Sequence, residues 1–141
     1  MYKNLMKQII VTVLSLWVCF YGHLGLGDDS YPAHVERAIE LYAKGSQTFM
    51  VVELCKRLGA NSNELTKGWA NWLRRNKDKM DEAYRIQLEY ESKQGLTAEE
   101  SNRMLIELEG NIRADMWVQM KNDKDFWLQN CQEIPRVLRA G

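Results

Sequence analysis

The sequence is poor in proline, histidine and cysteine. Only 2 of its 141 residues are proline, and no run of alternating β-branched residues follows position 27. The absence of such a run argues against β strands. After position 27 only 1 histidine and 2 cysteines remain, fewer than the four ligands of a structural zinc site. The sequence therefore predicts an all-α protein that binds no metal.

The chain also lacks a net charge, since 19 basic residues balance 19 acidic ones. Its most basic stretch, residues 74–79, includes Asp78 and is followed by Asp81 and Glu82. A balanced charge gives no overall attraction to nucleic acid or to an anionic membrane. We therefore interpret the stretch as a solvated helix face and predict no nucleic-acid partner.

Long apolar runs are confined to the N-terminus. Residues 9–21 are almost entirely apolar, Lys3 and Lys7 precede them, and Gly25 and Gly27 follow. A basic start, an apolar stretch of about 13 residues and small residues at the cut are typical of a secretory signal peptide. The run is shorter than the roughly 20 residues that span a bilayer. We predict cleavage after Gly27, with an uncleaved N-terminal anchor as the alternative.

This prediction divides the chain into a signal peptide, residues 1–27, and a single helical domain, residues 28–141. The domain would be periplasmic or secreted and would touch a membrane only in transit. It would carry 17 basic and 19 acidic residues, a net charge of −2. Its length fits one domain with its own core.

Removal of the signal peptide would take Cys19 with it and leave Cys55 and Cys131. In an oxidising compartment two cysteines have only one way to pair. A disulfide that closes a loop of about 75 residues should stabilise the fold by about 4 kcal/mol in the chain-entropy model. We predict a structural disulfide, with two free buried thiols as the alternative.

The spacing of apolar residues predicts about five helices. Gly45 should end the first helix, and Pro135 should end or kink the last one. The two longest helices should form a central antiparallel hairpin, because residues 93–96 are too few for another arrangement. The predicted helices are residues 31–44, 46–58, 64–94, 97–121 and a last one that begins near residue 122.

The domain offers few groups for chemistry. His34 is its only histidine. Glu36 and Glu40 are near it in the sequence, but one solvated histidine without a second histidine or cysteine ligand does not form a site. The chain contains no nucleophile paired with a base, no glycine-rich phosphate loop and no cofactor motif. We predict no enzymatic activity and no cofactor. An envelope-acting hydrolase is the alternative, and it would require carboxylates gathered in a cleft.

The tryptophans are the one feature that favours a function. Aromatic residues at helical spacing usually belong to the core. Trp69, Trp72 and Trp117 are too bulky for all three to face inward, however, and exposed tryptophans are enriched in protein interfaces. We predict these three residues as candidate partner-binding residues and another protein as the partner.

The combination of signal peptide, compact helices and one cysteine pair resembles the plan of periplasmic immunity proteins that protect against type VI secretion effectors. The likeness is one of architecture, and the chain contains no motif of that group. It implies a non-enzymatic inhibitor or immunity-type protein that neutralises an exported effector. A small periplasmic chaperone, or an accessory subunit of an envelope or secretion complex, is the alternative.

Overall fold

A computed structural model describes residues 31–141 of the chain. These residues form five helices and contain no strand, which confirms the predicted all-α fold. No helix among them is long and apolar enough to cross a bilayer. The predicted signal peptide lies outside the described residues. The helices are α1 (Ala33–Leu58), α2 (Ser62–Lys93), α3 (Ala98–Asn122), α4 (Lys124–Cys131) and α5 (Ile134–Ala140).

Helix α1 is continuous through Gly45, so the predicted break between two short helices was wrong. Gly45 is buried, and a Cβ atom added to it would lie 2.3 Å from Met80 Cε and 3.4 Å from the Trp72 ring. The glycine therefore leaves room for the Met80 side chain of α2, and it lies inside a continuous helix where the sequence predicted a helix end. The left-handed glycine that ends α1 is Gly59, with φ of 111°.

Helix α1 lies at the centre of the fold. It contacts α2, α3 and α4, and its buried residues are distributed around most of its circumference. A helix that is apolar on many sides is buried by neighbours on many sides. The buried residues of α1 are Val35, Ala38, Ala43, Gly45, Met50, Val52, Leu54, Cys55 and Leu58.

Helices α1 and α2 form the most extensive contact and run antiparallel. Phe49 lies 5.3 Å from Trp69 between ring centroids, and Tyr42 lies 5.5 Å from Tyr84. The order of these pairs along α1 is opposite to their order along α2. The central hairpin is therefore formed by α1 and α2, whereas the sequence predicted that α2 and α3 would form it.

The predicted hairpin of α2 and α3 is also present. Gly95 adopts a left-handed backbone with φ of 89°. Its N–H donates to Ser92 O, and the Leu96 N–H donates to Glu91 O at 3.1 Å. These are the two bonds of a Schellman motif, which turns the chain sharply after a helix. Farther along, the Tyr84 hydroxyl donates to Asn102 Oδ1 at 2.6 Å and joins the two helices.

The two C-terminal helices cover one end of this three-helix core. Helix α4 ends at Cys131, and its disulfide to Cys55 joins residues whose Cα atoms are 5.6 Å apart. The predicted cysteine pair is therefore confirmed. Pro135 lies in the first turn of α5, so it starts a further helix where the sequence predicted an end or a kink. Helix α5 packs on α2.

Candidate functional site

The first candidate surface is the cluster of aromatic rings between α1 and α2, formed by Phe49, Trp69 and Trp72. Trp69 stacks on Trp72 at 5.2 Å, with 13° between the ring planes, and Phe49 tilts against Trp69. Trp69 is half-buried, and Phe49 is 39% exposed. Leu73, one turn after Trp69 on α2, is also 39% exposed. The cluster therefore presents aromatic surface to solvent while its inner ring packs in the core.

That inner ring is Trp72, and it is only 3% exposed. It lies against Gly45 and within reach of the C-terminal Gly141. The structure thus places one of the three candidate partner-binding tryptophans in the core, where it has almost no surface for a partner. Trp72 supports the position of Trp69 instead. A partner-binding role for Trp69 and Trp117 stays a prediction.

Trp117 forms the second candidate surface. It is half-buried on α3 and packs against the core. The Arg57 guanidinium of α1 lies 4.2 Å from the Trp117 ring centroid, and Lys121 Nζ lies 5.8 Å from it. Both distances fall within the range of a cation–π contact. Among residues 31–141, Trp117 makes no ring contact with Trp69 or Trp72, so the tryptophans do not form one site.

The sequence analysis missed the two cations beside Trp117. The four-residue spacing of Trp117 and Lys121 places them on one helix face and could have indicated their contact. No local signal indicates Arg57, because it comes from another helix 60 positions earlier in the chain. The crossing of α1 and α3 brings it to the ring.

A polar layer joins the three long helices midway along the core. The Ser46 hydroxyl donates to Glu109, and Tyr42 stacks on Tyr84. Burial raises the pKa of Tyr42 to about 12, and the negative charge of Glu109 and the neighbouring Tyr84 add to the effect. Tyr42 therefore stays neutral at physiological pH. The layer fixes the register of the helices through directed bonds.

The described residues offer little acid–base or metal chemistry. His34 is exposed on the first turn of α1. Within residues 31–141, no three His, Cys, Asp or Glu side chains converge as metal ligands. One groove of about 360 Å³ lies between α2 and α5, and Glu64 is the only carboxylate in its lining. The other lining residues are Lys67, Gly68, Asn71, Pro135 and Arg139.

Comparison of the chain with family models, with curated proteins and with solved structures finds no match.

Proposed function

We propose that this protein is a non-enzymatic, exported helical module that binds another protein. The version we favour is an inhibitor or immunity-type protein that neutralises an exported effector. The observation that carries the proposal is the pair of half-buried tryptophans, Trp69 and Trp117, each held at the surface by neighbouring side chains from α1.

Tryptophan rings that neighbouring side chains hold at the surface are suited to binding a protein partner. A tryptophan with a fixed orientation loses little conformational entropy when a partner covers it, and buried interface tryptophans often dominate binding energies. The disulfide between Cys55 and Cys131 ties α4 to α1 and restricts the movement of the helices around Trp117. The single carboxylate of the groove between α2 and α5 gives a hydrolase no acid pair.

The first prediction concerns capture of the partner. The full chain with a C-terminal tag is expressed in its own cells, recovered from the envelope fraction, and the proteins bound to it are identified by mass spectrometry. We expect Trp69→Ala or Trp117→Ala to weaken capture by about tenfold or more, as for a binding hot spot. Neither change should unfold the protein, because both rings are only half-buried.

Two control variants accompany this experiment. Trp127→Ala removes another half-buried tryptophan, which lies 5.7 Å from Phe126, and should leave capture unchanged. Trp72→Ala should lower the free energy of unfolding by about 3–5 kcal/mol, as for an aromatic residue removed from a core. The proposal fails if the wild-type protein captures no protein, or if Trp69→Ala and Trp117→Ala act only by unfolding it.

The captured protein also distinguishes the inhibitor from the chaperone or accessory subunit. An inhibitor should abolish the activity of the captured effector at a one-to-one ratio, whereas a chaperone should leave the folded partner active.

The mass of the recovered protein tests export at the same time. A chain that begins at Asp28 and resists alkylation at Cys55 and Cys131 supports it, and an intact N-terminus with two free thiols contradicts it.

A further inference from the structure

A basic face surrounds Trp117, and we define it by Arg57, Arg113, Trp117 and Lys121. Arg113 and Lys121 lie one helical turn before and after Trp117 on α3, so all three share a helix face. Arg57 is contributed by α1 and lies over the Trp117 ring. The three cations are exposed, whereas the ring is half-buried.

The charge of this face is not neutralised by the residues around it. Among residues 31–141, Arg57, Arg113 and Lys121 form no ion pair within 4.0 Å, unlike Lys56, Lys77, Arg85, Lys93 and Arg136. Two carboxylates lie one turn from members of the face. Glu53 pairs with Lys56 at 2.9 Å, whereas Glu109 accepts a hydrogen bond from the Ser46 hydroxyl, a neutral donor that does not cancel its charge. The three cations therefore outnumber the one carboxylate beside them that has no cation partner.

The face continues along α3 toward its N-terminal half. Ile106 and Gly110 belong to the same stripe, because they lie seven and three residues before Arg113. The Ile106 side chain is 70% exposed, the highest value among the large apolar residues that the structure describes. From Ile106 to Lys121 the stripe is about 22 Å long at 1.5 Å per residue.

We propose that the basic face docks an acidic surface segment of the protein partner, with Trp117 as the apolar anchor and the three cations as its charged rim. The proposal rests on the protein-binding function proposed above and identifies the chemistry of the partner. Carboxylates on the partner would pair with Arg57, Arg113 and Lys121. One apolar side chain of the partner would contact the part of the Trp117 ring that Arg57 leaves open, and a second would contact Ile106, about 16 Å away along α3.

An acidic protein fits this face better than nucleic acid or a membrane does. Three cations neutralise few phosphates, so the electrostatic gain from a nucleic-acid backbone would be small. Binding to an anionic bilayer commonly requires a larger cluster of basic residues. A protein partner can add apolar contact with Trp117 to a small number of ion pairs, which is how interface hot spots are built.

The test uses a labelled 20-residue poly-L-glutamate as the probe and the exported protein in low salt. We expect the protein to bind this probe, and Arg57→Glu combined with Lys121→Glu to weaken binding by about tenfold or more. The matched control combines Lys44→Glu with Lys79→Glu, two exposed lysines outside the face, and alters the total charge equally. This control should retain most of the affinity. Circular dichroism should show the same helix content in all three proteins.

Several outcomes would overturn the proposal. They are no binding of poly-L-glutamate, an equal loss in the two charge-reversed proteins, or tighter binding to phosphatidylglycerol vesicles or to a 20-nucleotide single-stranded DNA. The capture experiment separates this failure from failure of the protein-binding function. If a protein is captured and charge reversal at Arg57 and Lys121 does not affect it, the partner binds elsewhere and only the basic-face proposal is wrong.

Discussion

Single residues set how closely the helices of this protein approach one another. At Gly45 the absence of a side chain lets α1 approach Met80 and Trp72 of α2. At Gly68 an added Cβ would lie 3.1 Å from Leu138 Cδ1, so α5 also packs tightly on α2 there. A glycine in the interior of a helix costs stability, and the gain from close packing offsets that cost.

The second prediction compares two glycines in helices. Gly110 has nothing within 4 Å of an added Cβ, so Gly110→Ala should raise the free energy of unfolding by about 1 kcal/mol through helix propensity. Gly45→Ala should raise the free energy of unfolding by less than Gly110→Ala does, because its Cβ would displace Met80 Cε and Sδ. Chemical denaturation of both variants measures the difference.

A double-mutant cycle with Met80→Ala identifies the cause. If the Met80 side chain is the obstacle, Gly45→Ala should change the free energy of unfolding more favourably in the Met80→Ala background than in the wild-type protein. An equal effect of Gly45→Ala in both backgrounds would show that the close contact with Met80 is not what limits the substitution.

At the scale of elements, helix ends are determined by local hydrogen bonds. Thr97 accepts a bond from the Glu100 N–H at 3.1 Å, and the Thr97 N–H donates to Glu100 Oε2 at 2.8 Å. These two bonds form a capping box, and Thr97 and Glu100 have the three-residue spacing that is typical of it. At the start of α2, Asn61 Oδ1 accepts from the Glu64 N–H at 3.2 Å.

The third prediction removes the cap of α3. Thr97→Ala should lower the free energy of unfolding by about 1 kcal/mol, because the Glu100 N–H loses its acceptor. Thr66→Ala, on an exposed position inside α2, is the matched control. It should be neutral or slightly stabilising, because alanine has the higher helix propensity. Equal losses in the two variants would mean that the cap contributes nothing measurable.

The fourth prediction concerns the pH dependence of the same cap. The bonds from the Thr97 backbone and side chain lower the pKa of Glu100 below its ordinary value of 4.5. The stabilising effect is therefore fully present above about pH 4.5 and is lost as the pH falls through the lower, folded-state pKa. We expect Glu100→Gln to reduce the slope of stability against pH in this range, as measured by thermal unfolding. An unchanged slope would contradict this assignment.

At the scale of the whole molecule, the disulfide joins distant parts of the chain. Cys55 and Cys131 are 76 residues apart in sequence and are 1% and 2% exposed. The bond fixes α4 on α1, while α5 packs on α2. The C-terminal helices thereby attach to both helices of the main hairpin and close one end of the core.

The fifth prediction tests this closure. Reduction of the disulfide should lower the free energy of unfolding by about 4 kcal/mol, from the loop-closure entropy regained by the unfolded chain. Thermal unfolding with and without a reducing agent measures the change. The variant with Cys55→Ala and Cys131→Ala should be less stable and should show no response to the reducing agent. A wild-type protein with the same stability in both conditions would show that the bond is not structural.

The chain's own residues determined the helical class, the capped starts of α2 and α3, the turn at Gly95 and the cysteine pair. The helical class depends on periodicity, and the helix ends depend on hydrogen bonds within a few residues. The cysteine pair follows because only two cysteines lie after position 27. These features can therefore be inferred without tertiary contacts. Three features could be decided only by tertiary structure: the continuity of α1 through Gly45, the burial of Trp72, and the approach of Arg57 to Trp117. Each depends on which helices pack against which, and residues that meet at such contacts are far apart in the sequence.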